Sequence, residues 1–306
     1  MNISVCIATY RRPDRLAALL DDLVVQQLLP DQVVVVDNDA AGSARGVVER
    51  RRHAGTPFEI VYGVQTEQNI SLTRNRTVEL AAGEWLAFID DDERAPPDWL
   101  KLLAEATERF AADGALGPVE PVVPPEAPEW IRRGGFYRWA RFKTGTVVPL
   151  NKLRFGNVML RGALLRERTA PFDRAYGLTG GEDGELLGRL VHLGARIVWC
   201  DEALVHEPVE ASRLSLRWLL LRSLRGGQDY ARHRLSGRFG LLTPAGRVQF
   251  FLRALLQSAT AAVLALVIWP LGLHRAVHWL LKASANLGKL TILFGWHYRE
   301  NTQKAV

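Results

Sequence analysis

Residues 86–93, Leu-Ala-Phe-Ile-Asp-Asp-Asp-Glu, constrain the fold of this chain more than any other stretch: a short apolar run stops at four consecutive acids, Asp90, Asp91, Asp92 and Glu93. An apolar run such as 85–89 reads as a strand buried on both faces of a parallel sheet. Ligands of open α/β sheets bind beyond the carboxyl ends of the strands, which is where these acids fall. Adjacent carboxylates repel one another and resist losing water unless a cation neutralises them. A hard divalent ion that also meets a substrate's phosphates is a common solution. The bland alternative is an acidic loop left in solvent, a reading that weakens when the acids follow a buried strand. The stretch points to metal-assisted chemistry on a phosphorylated substrate.

Other apolar runs share the pattern: 3–8, the four valines 33–36, 58–62, 116–123, 155–160 and 196–200. Between them lie helical signals. Pro13 followed by Leu16, Leu19, Leu20 and Leu23 starts a helix of period 3.6. Further helices are expected at 72–81, at 99–110, and from the turn 177–183 to 193. Strands alternating with helices imply a parallel, doubly wound sheet over roughly the first 120 residues, with right-handed crossovers. The proline-rich stretch 118–128 breaks the pattern. Beyond it, 130–143 mixes aromatics with Arg and Gly, as a substrate-facing loop or lid would.

A chain of 306 residues, 48% hydrophobic and 24% charged, is long and apolar enough for a substantial core. The net charge of +6 hides a division. Residues 211–306 hold 14 Lys or Arg against 2 Asp or Glu, and the first 210 hold 25 against 31. An acidic globular part followed by a basic, apolar tail suits an anionic membrane surface better than a nucleic-acid partner. Cys6 and Cys200 each fall inside an expected core strand, which argues against a disulfide framework and for a reducing compartment. The N-terminus has no basic leader region, and 3–8 is too short for a signal segment, so the acidic part is expected in the cytoplasm.

In the tail, 214–224 carries Leu, Trp and Arg in an amphipathic pattern that fits a membrane interface. Residues 254–273 are 20 residues without a formal charge. As a helix they would extend about 30 Å, the thickness of a hydrocarbon core. Gln257, Ser258 and Thr260 dilute this stretch, so a buried soluble helix is the alternative, and Pro270 would kink or end it. A second apolar stretch, 276–296, contains Lys282 and Lys289, and the two could form a spanning or re-entrant hairpin. The arginines before 254 suit a cytoplasmic flank.

Several polar clusters fall where strands end: Thr9, Tyr10, Arg11 and Arg12 after the first, Asp37 and Asn38 after the second, Asp90–Asp92 after the fourth. Adjacent strands would bring them to one crevice, where Asp37 could accept from a base or ribose and Arg11 or Arg74 could reach phosphates. A cap and a solvated arginine explain Arg74 and Asn75 equally well. No glycine-rich phosphate loop of either familiar spacing occurs, which argues against a P-loop NTPase or a conventional dinucleotide enzyme.

Val5-Cys6-Ile7-Ala8-Thr9-Tyr10-Arg11-Arg12, Val36-Asp37-Asn38, Ser71-Leu72-Thr73-Arg74-Asn75, Phe88-Ile89-Asp90-Asp91-Asp92-Glu93 and Gly180-Gly181-Glu182-Asp183 occur in that order. Over about residues 2–228 the chain resembles a family 2 glycosyltransferase, in the style of enzymes that build exopolysaccharides and lipid-linked glycans. The resemblance implies the GT-A fold, a Rossmann-like, mostly parallel sheet. It would occupy 1–210, with a nucleotide-sugar half at about 1–120 and an acceptor half at about 121–210. Residues 211–306 would form an amphipathic and apolar helical region that associates with membrane.

By resemblance, Thr9, Tyr10, Arg11 and Asp37 line the nucleobase and ribose site, and Arg74 lies beside the nucleotide. Asp90–Asp92 form the Asp-x-Asp motif: Asp90 and Asp91 serve the donor, and Asp92 is the principal ligand of Mg2+ or Mn2+, with Asp90 and His206 as further ligands. Asp183 is the implied catalytic base, with Glu182 beside it. A helix N-terminal acidic pair favoured by the macrodipole is the plainer account of those two residues. Transfer from a nucleotide sugar, UDP-linked by preference, breaks the bond between C1 and the diphosphate, so charge builds on the leaving group. The acceptor hydroxyl needs a base, and a single base opposite the leaving group inverts C1. Processive relatives carry Gln-x-x-Arg-Trp after the base. Here Ser215-Leu216-Arg217-Trp218 stands instead, which implies one sugar per encounter on a lipid-linked or glycan acceptor. A nucleotidyltransferase of similar fold and a catalytically inactive membrane scaffold are the competing readings. Trp130, Trp139 and Arg141 are candidates to clamp the acceptor, or members of a folded-back lid.

Overall fold

A computed structural model describes residues 1–298 of the chain. The described residues divide into two compact units: 1–120, 139–178 and 182–207 form one, and 121–138, 179–181 and the chain from 208 onward form the other.

The first unit is built on a seven-stranded sheet. Its strands are β1 (Ile3–Thr9), β2 (Gln32–Asp37), β3 (Glu59–Val64), β4 (Trp85–Phe88), β5 (Gly114–Leu116), β7 (Val158–Arg161) and β8 (Ile197–Trp199), in the order β3-β2-β1-β4-β7-β5-β8. β6 (Val119–Val122) and β9 (Val205–Pro208) pair apart from it. β1 pairs in parallel with β2 and β4, with Cys6 opposite both Val34 and Phe88. β7 alone runs against its neighbours, with Val158 opposite both Phe88 and Leu116.

The valine runs are strands because successive side chains face opposite sides of the sheet and both sides are covered. Val33 and Val35 join Val5 and Ile7 in one core with Leu16, Leu20 and Trp99 of the helices α1 (Pro13–Val24) and α4 (Trp99–Arg109). Val34 and Val36 join Cys6 and Phe88 in the other, with Val78 of α3 (Ile70–Leu80) and Leu186 and Leu190 of α7 (Glu182–His192). Chain order runs outward from β1 through β2 to β3, then returns through α3 to β4 on the opposite side of β1. The direction of winding reverses between β1 and β4, so a ligand crevice opens at their carboxyl ends.

One expected strand is corrected, and one helix was not expected. The run 116–123 is not one strand. It breaks at Gly117-Pro118, where a Cβ on Gly117 would collide with the Ala203 carbonyl, so β5 ends and β6 leaves to pair with β9. Helix α2 (Arg45–His53) had no expected counterpart; it buries only Val47 and Val48, too few for a visible period. The short helix α6 (Gly162–Arg166) follows β7.

In the second unit, α5 (Glu129–Gly134) precedes α8 (Leu216–Leu235), α9 (Pro244–Ile268) and α10 (Leu273–Thr291). Segment 130–138 is part of this unit's core: Ile131 and Tyr137 are buried with Leu219 and Val277, and the Tyr137 hydroxyl donates to the Arg213 carbonyl at 2.9 Å. α8 and α10 run side by side. Ser284 Oγ donates to the Leu220 carbonyl at 2.7 Å, and Gln228 Nε2 to Thr291 Oγ1 at 2.7 Å. Their backbones touch: a Cβ on Gly227 would overlap Ala285, and one on Gly288 would overlap Leu224. Close approach through small residues is how apolar helices pack when side-chain burial alone does not join them.

Candidate active site

The crevice side of β1 and β4 is dominated by ion pairs. Thr9, the last residue of β1, donates its hydroxyl to Asp91 at 2.7 Å. Arg12 reaches Asp91 at 3.1 Å and Asp92 at 2.7 Å, and Arg15, one turn along α1, reaches Asp92 at 3.4 Å. Asp91 and Asp92 are therefore buried acids already neutralised by the first helix. Burial is the main reason Asp91 is pushed up to about 6, with Asp92 adding repulsion while Arg12 and Thr9 oppose it. Arg11 takes φ 52°, a left-handed conformation rare for a residue with a Cβ. Its guanidinium lies 5.1 Å from the Tyr10 ring centre and 3.4 Å from Asp39. Tyr10 and the largely exposed Arg11 are thus presented together beside β1.

Asp37 is placed differently from the expectation. It is fully buried, and its oxygens accept from the backbone of Asp39 at 2.9 Å and of Ala44 at 2.7 Å and from the Tyr62 hydroxyl at 3.1 Å. Both oxygens bond to the turn into α2 or to the tyrosine beside it, so in this structure Asp37 shapes the loop. Asn38 clips the same loop to the start of α3, donating to the carbonyls of Gln65 and Glu67 and accepting from the Asn69 backbone.

Arg74 is the hub of the site. It donates to Glu182 at 2.6 Å and to Asp90 at 3.2 Å, and its guanidinium lies 4.9 Å from the Phe155 ring centre and 6.0 Å from that of Phe172. Desolvation works against its charge, but Glu182, Asp90 and Asp183 outweigh that and raise its pKa. The fork of an arginine suits this bridging role, and the aromatic faces add cation–π support. Three stretches distant in sequence, around residues 74, 90 and 182, thereby meet. Asp183 follows Glu182 in the first turn of α7, after Gly180 and Gly181 at φ 80° and 93°. Left-handed backbone at these two glycines turns the chain so that the acids head the helix. Asp183 accepts from the Phe155 backbone at 3.1 Å and from Gly184 at 2.6 Å.

The donor chemistry decides how well a divalent ion fits. Asp90 is the open carboxylate, with 45% of its side chain exposed, against 6% for Asp92. Glu93 is buried and accepts from the Asp90 backbone at 3.1 Å; burial, with Asp90, Asp92 and Glu207 nearby, raises its pKa well above the ordinary range. The expected three-ligand set of Asp90, Asp92 and His206 is not assembled. Among the described residues no group of three His, Cys, Asp or Glu is placed to hold an ion. The backbone of His206 pairs with that of Arg94, with bonds of 3.0 and 2.8 Å. One open carboxylate still suits an ion such as Mg2+, which keeps waters and takes one or two carboxylates together with substrate phosphates. The residues fit an ion that arrives with a diphosphate.

Arg12 was expected in the crevice without an assigned role, and Arg15 and the Phe155–Phe172 platform were not among the expected site residues. The signal was present, since Arg12 and Arg15 are three apart across a helix start and so share a face. Arg141 is ion-paired with Asp201 at 2.8 Å, and Trp139 stacks with Arg154 at 4.9 Å.

Fold and site together are those of a transferase of glycosyl groups. Residues 4–161 match the family described as glycosyl transferase family 2, and the chain belongs to that family. The succinoglycan biosynthesis protein ExoM of Rhizobium meliloti (strain 1021) is 38% identical over 240 residues, 76% of this chain and 75% of that protein. Among solved structures, a mannosyltransferase from Pyrobaculum calidifontis in complex with GDP-Man and Mn2+ superposes with a TM-score of 0.56 at 17% identity, covering 99% of this chain and 78% of that one. TarS (1–349) of S. aureus in complex with UDP-GlcNAc gives 0.54 at 19% identity, covering 98% and 93%. These structures share the GT-A architecture expected from the sequence.

Proposed function

We propose that this enzyme moves one sugar from a nucleotide-sugar donor, UDP-linked by preference, to the hydroxyl of a lipid-linked saccharide, inverting the anomeric carbon. The observation that carries the reading is the Arg74 hub, which joins the acid ending β4 to the acids heading α7. One side of such a site serves the leaving diphosphate and the other serves the acceptor. Tyr10 and Arg11 would hold the nucleoside. Asp90 would share a Mg2+ or Mn2+ ion with the diphosphate, and Asp92 would join it only by leaving Arg12 and Arg15. When bound, such an ion neutralises charge that builds on the departing oxygen.

The protein's own contribution is positioning and proton transfer. Asp183 takes the acceptor hydroxyl proton as that oxygen attacks C1. Two backbone N–H bonds hold its carboxylate still, so little reorganisation is needed at the moment of reaction. Arg74 holds Glu182 immobile beside it and offers a fixed cation near the diphosphate. A relative named for succinoglycan biosynthesis supports polysaccharide assembly as the setting. The basic tail and an apolar helical segment of mean hydropathy 1.9 support attachment to the cytoplasmic face of a membrane.

The test is a panel of UDP-, GDP- and dTDP-sugars incubated with the full chain, with and without Mn2+, reading donor consumption. Metal-dependent turnover of one donor, lost in Asp90→Asn, is expected. Turnover that ignores both the metal and Asp90→Asn would remove the ion from the reading, and an active Asp183→Asn would remove the base.

A further inference from the structure

The sequence leaves open whether the apolar tail spans, re-enters or lies on a membrane. The packing of the second unit distinguishes these. α8 and α10 are parallel neighbours along their length, joined by Leu220–Ser284, Gly227–Ala285 and Gln228–Thr291. α9 runs back against them. Phe250 near its start lies 6.2 Å from the Tyr230 ring of α8, Ser258 in its middle donates to the Ala283 carbonyl of α10 at 3.0 Å, and its end turns through Trp269–Leu271 into α10. The three helices are therefore one bundle, with α9 antiparallel to α8 and α10.

A helix held in such a bundle crosses a hydrocarbon core only if its neighbours cross with it. α8 carries Arg217, Arg222, Arg225, Asp229, Arg232 and Arg234, and α10 carries Arg275, Lys282 and Lys289. Charges at that density do not sit at bilayer depth. Yet α9 buries only Ala254, Ala261 and Ala265. Leu252, Leu255, Leu256, Val263, Leu266 and Val267 are all more than half exposed. No charge falls between Arg253 and Arg275, and Trp269 marks the far end.

We infer that α9 lies flat in a single leaflet of an anionic membrane, clamped from behind by α10 and α8, and does not cross it. The occupant of its bare face is lipid, not a second copy of the chain. A second copy would bring the same excess of cations, whereas anionic headgroups complement Arg247, Arg253 and Arg275 at the two ends. The inference rests on the membrane attachment proposed above and fixes its geometry: the chain would be a one-sided membrane protein that meets acceptors from the leaflet it sits in.

Full-length Leu241→Cys and Leu271→Cys, at opposite ends of α9, test this in bacterial cells. The native Cys6 and Cys200 are buried. With a membrane-impermeant maleimide, neither variant should label in sealed spheroplasts, and both should label after lysis. A fluorophore on Leu256→Cys or Val263→Cys, in vesicles of phosphatidylcholine and phosphatidylglycerol, should be quenched by lipids brominated roughly 5–10 Å below the surface more than by those brominated at the chain ends. Labelling of one end in sealed spheroplasts, or strongest quenching at the bilayer centre, would overturn the flat geometry and leave attachment standing. A chain absent from the membrane fraction and from floated vesicles would overturn both, and a dimer mass in solution would then assign the face to a second copy.

Discussion

Arg74, Glu182 and Asp183 show how much depends on single side chains. Arg74 and Glu182 are both buried, and removing Arg74 takes from Glu182 the guanidinium 2.6 Å away. Arg74→Ala should cost about 3–5 kcal/mol in thermal or urea melts. Because the two residues touch, the Arg74→Ala/Glu182→Gln double variant should recover part of that loss, a coupling of about 0.5–3 kcal/mol. The Phe155 and Gly184 N–H groups bond to different oxygens of Asp183, so Asp183→Asn keeps an acceptor for only one of them. The variant should lose no more than about 1–3 kcal/mol in the melts, the cost of one unpaired N–H, while kcat falls about 10²–10⁴-fold, as loss of a general base predicts. The two cysteines give a pH test. Burial raises Cys6 to about 12 and Cys200 to about 11, against an ordinary value of 9.0. Folding therefore favours the neutral thiols, and that contribution is complete below pH 9 and lost as pH climbs through 11 to 12. Iodoacetamide at pH 9 should label both thiols only after denaturation, and melting temperature should fall across pH 9–11 less steeply in Cys6→Ala.

Among the elements, those with strong periodicity were legible and those fixed by tertiary fit were not. The leucines of α1, the valines of β2 and the run into Asp90 announce themselves, because each element buries a regular set of its own side chains. α2 escapes notice with its two buried valines, and the break after β5 is decided by the approach of Ala203 to Gly117, which no local pattern encodes. α9 begins at Pro244, capped by Thr243, ten residues before the uncharged stretch, because Arg247 and Arg253 project from an exposed helix without breaking it. In the site, the acids and Arg74 were legible by type and spacing. That Asp37 bonds into its own loop and Asp92 to two arginines depends on distances no sequence carries. The α8–α10 contact offers a matched pair of variants. Gly227→Ala thrusts a methyl into Ala285 and should destabilise by about 1–3 kcal/mol. Its neighbour Gly226 faces open space, so Gly226→Ala should be neutral or stabilise by up to about 1 kcal/mol in the same melts.

For the whole molecule, charge and topology have separate consequences. The basic tail gives a two-part response to salt: attachment to anionic vesicles should weaken as ionic strength rises from about 0.05 to about 0.5 M, while apolar insertion keeps a residual bound fraction. The antiparallel β7 bears on how the chain is made. On a ribosome, β1 to β5 emerge before it, and β4 then presents Trp85–Phe88 as a bare strand edge, with β5 unable to join the sheet. Unpaired apolar edges of this kind recruit other chains. The central seam closes only once Val158–Arg161 has been synthesised, so nascent chains stalled before that point are the ones that should need chaperone cover.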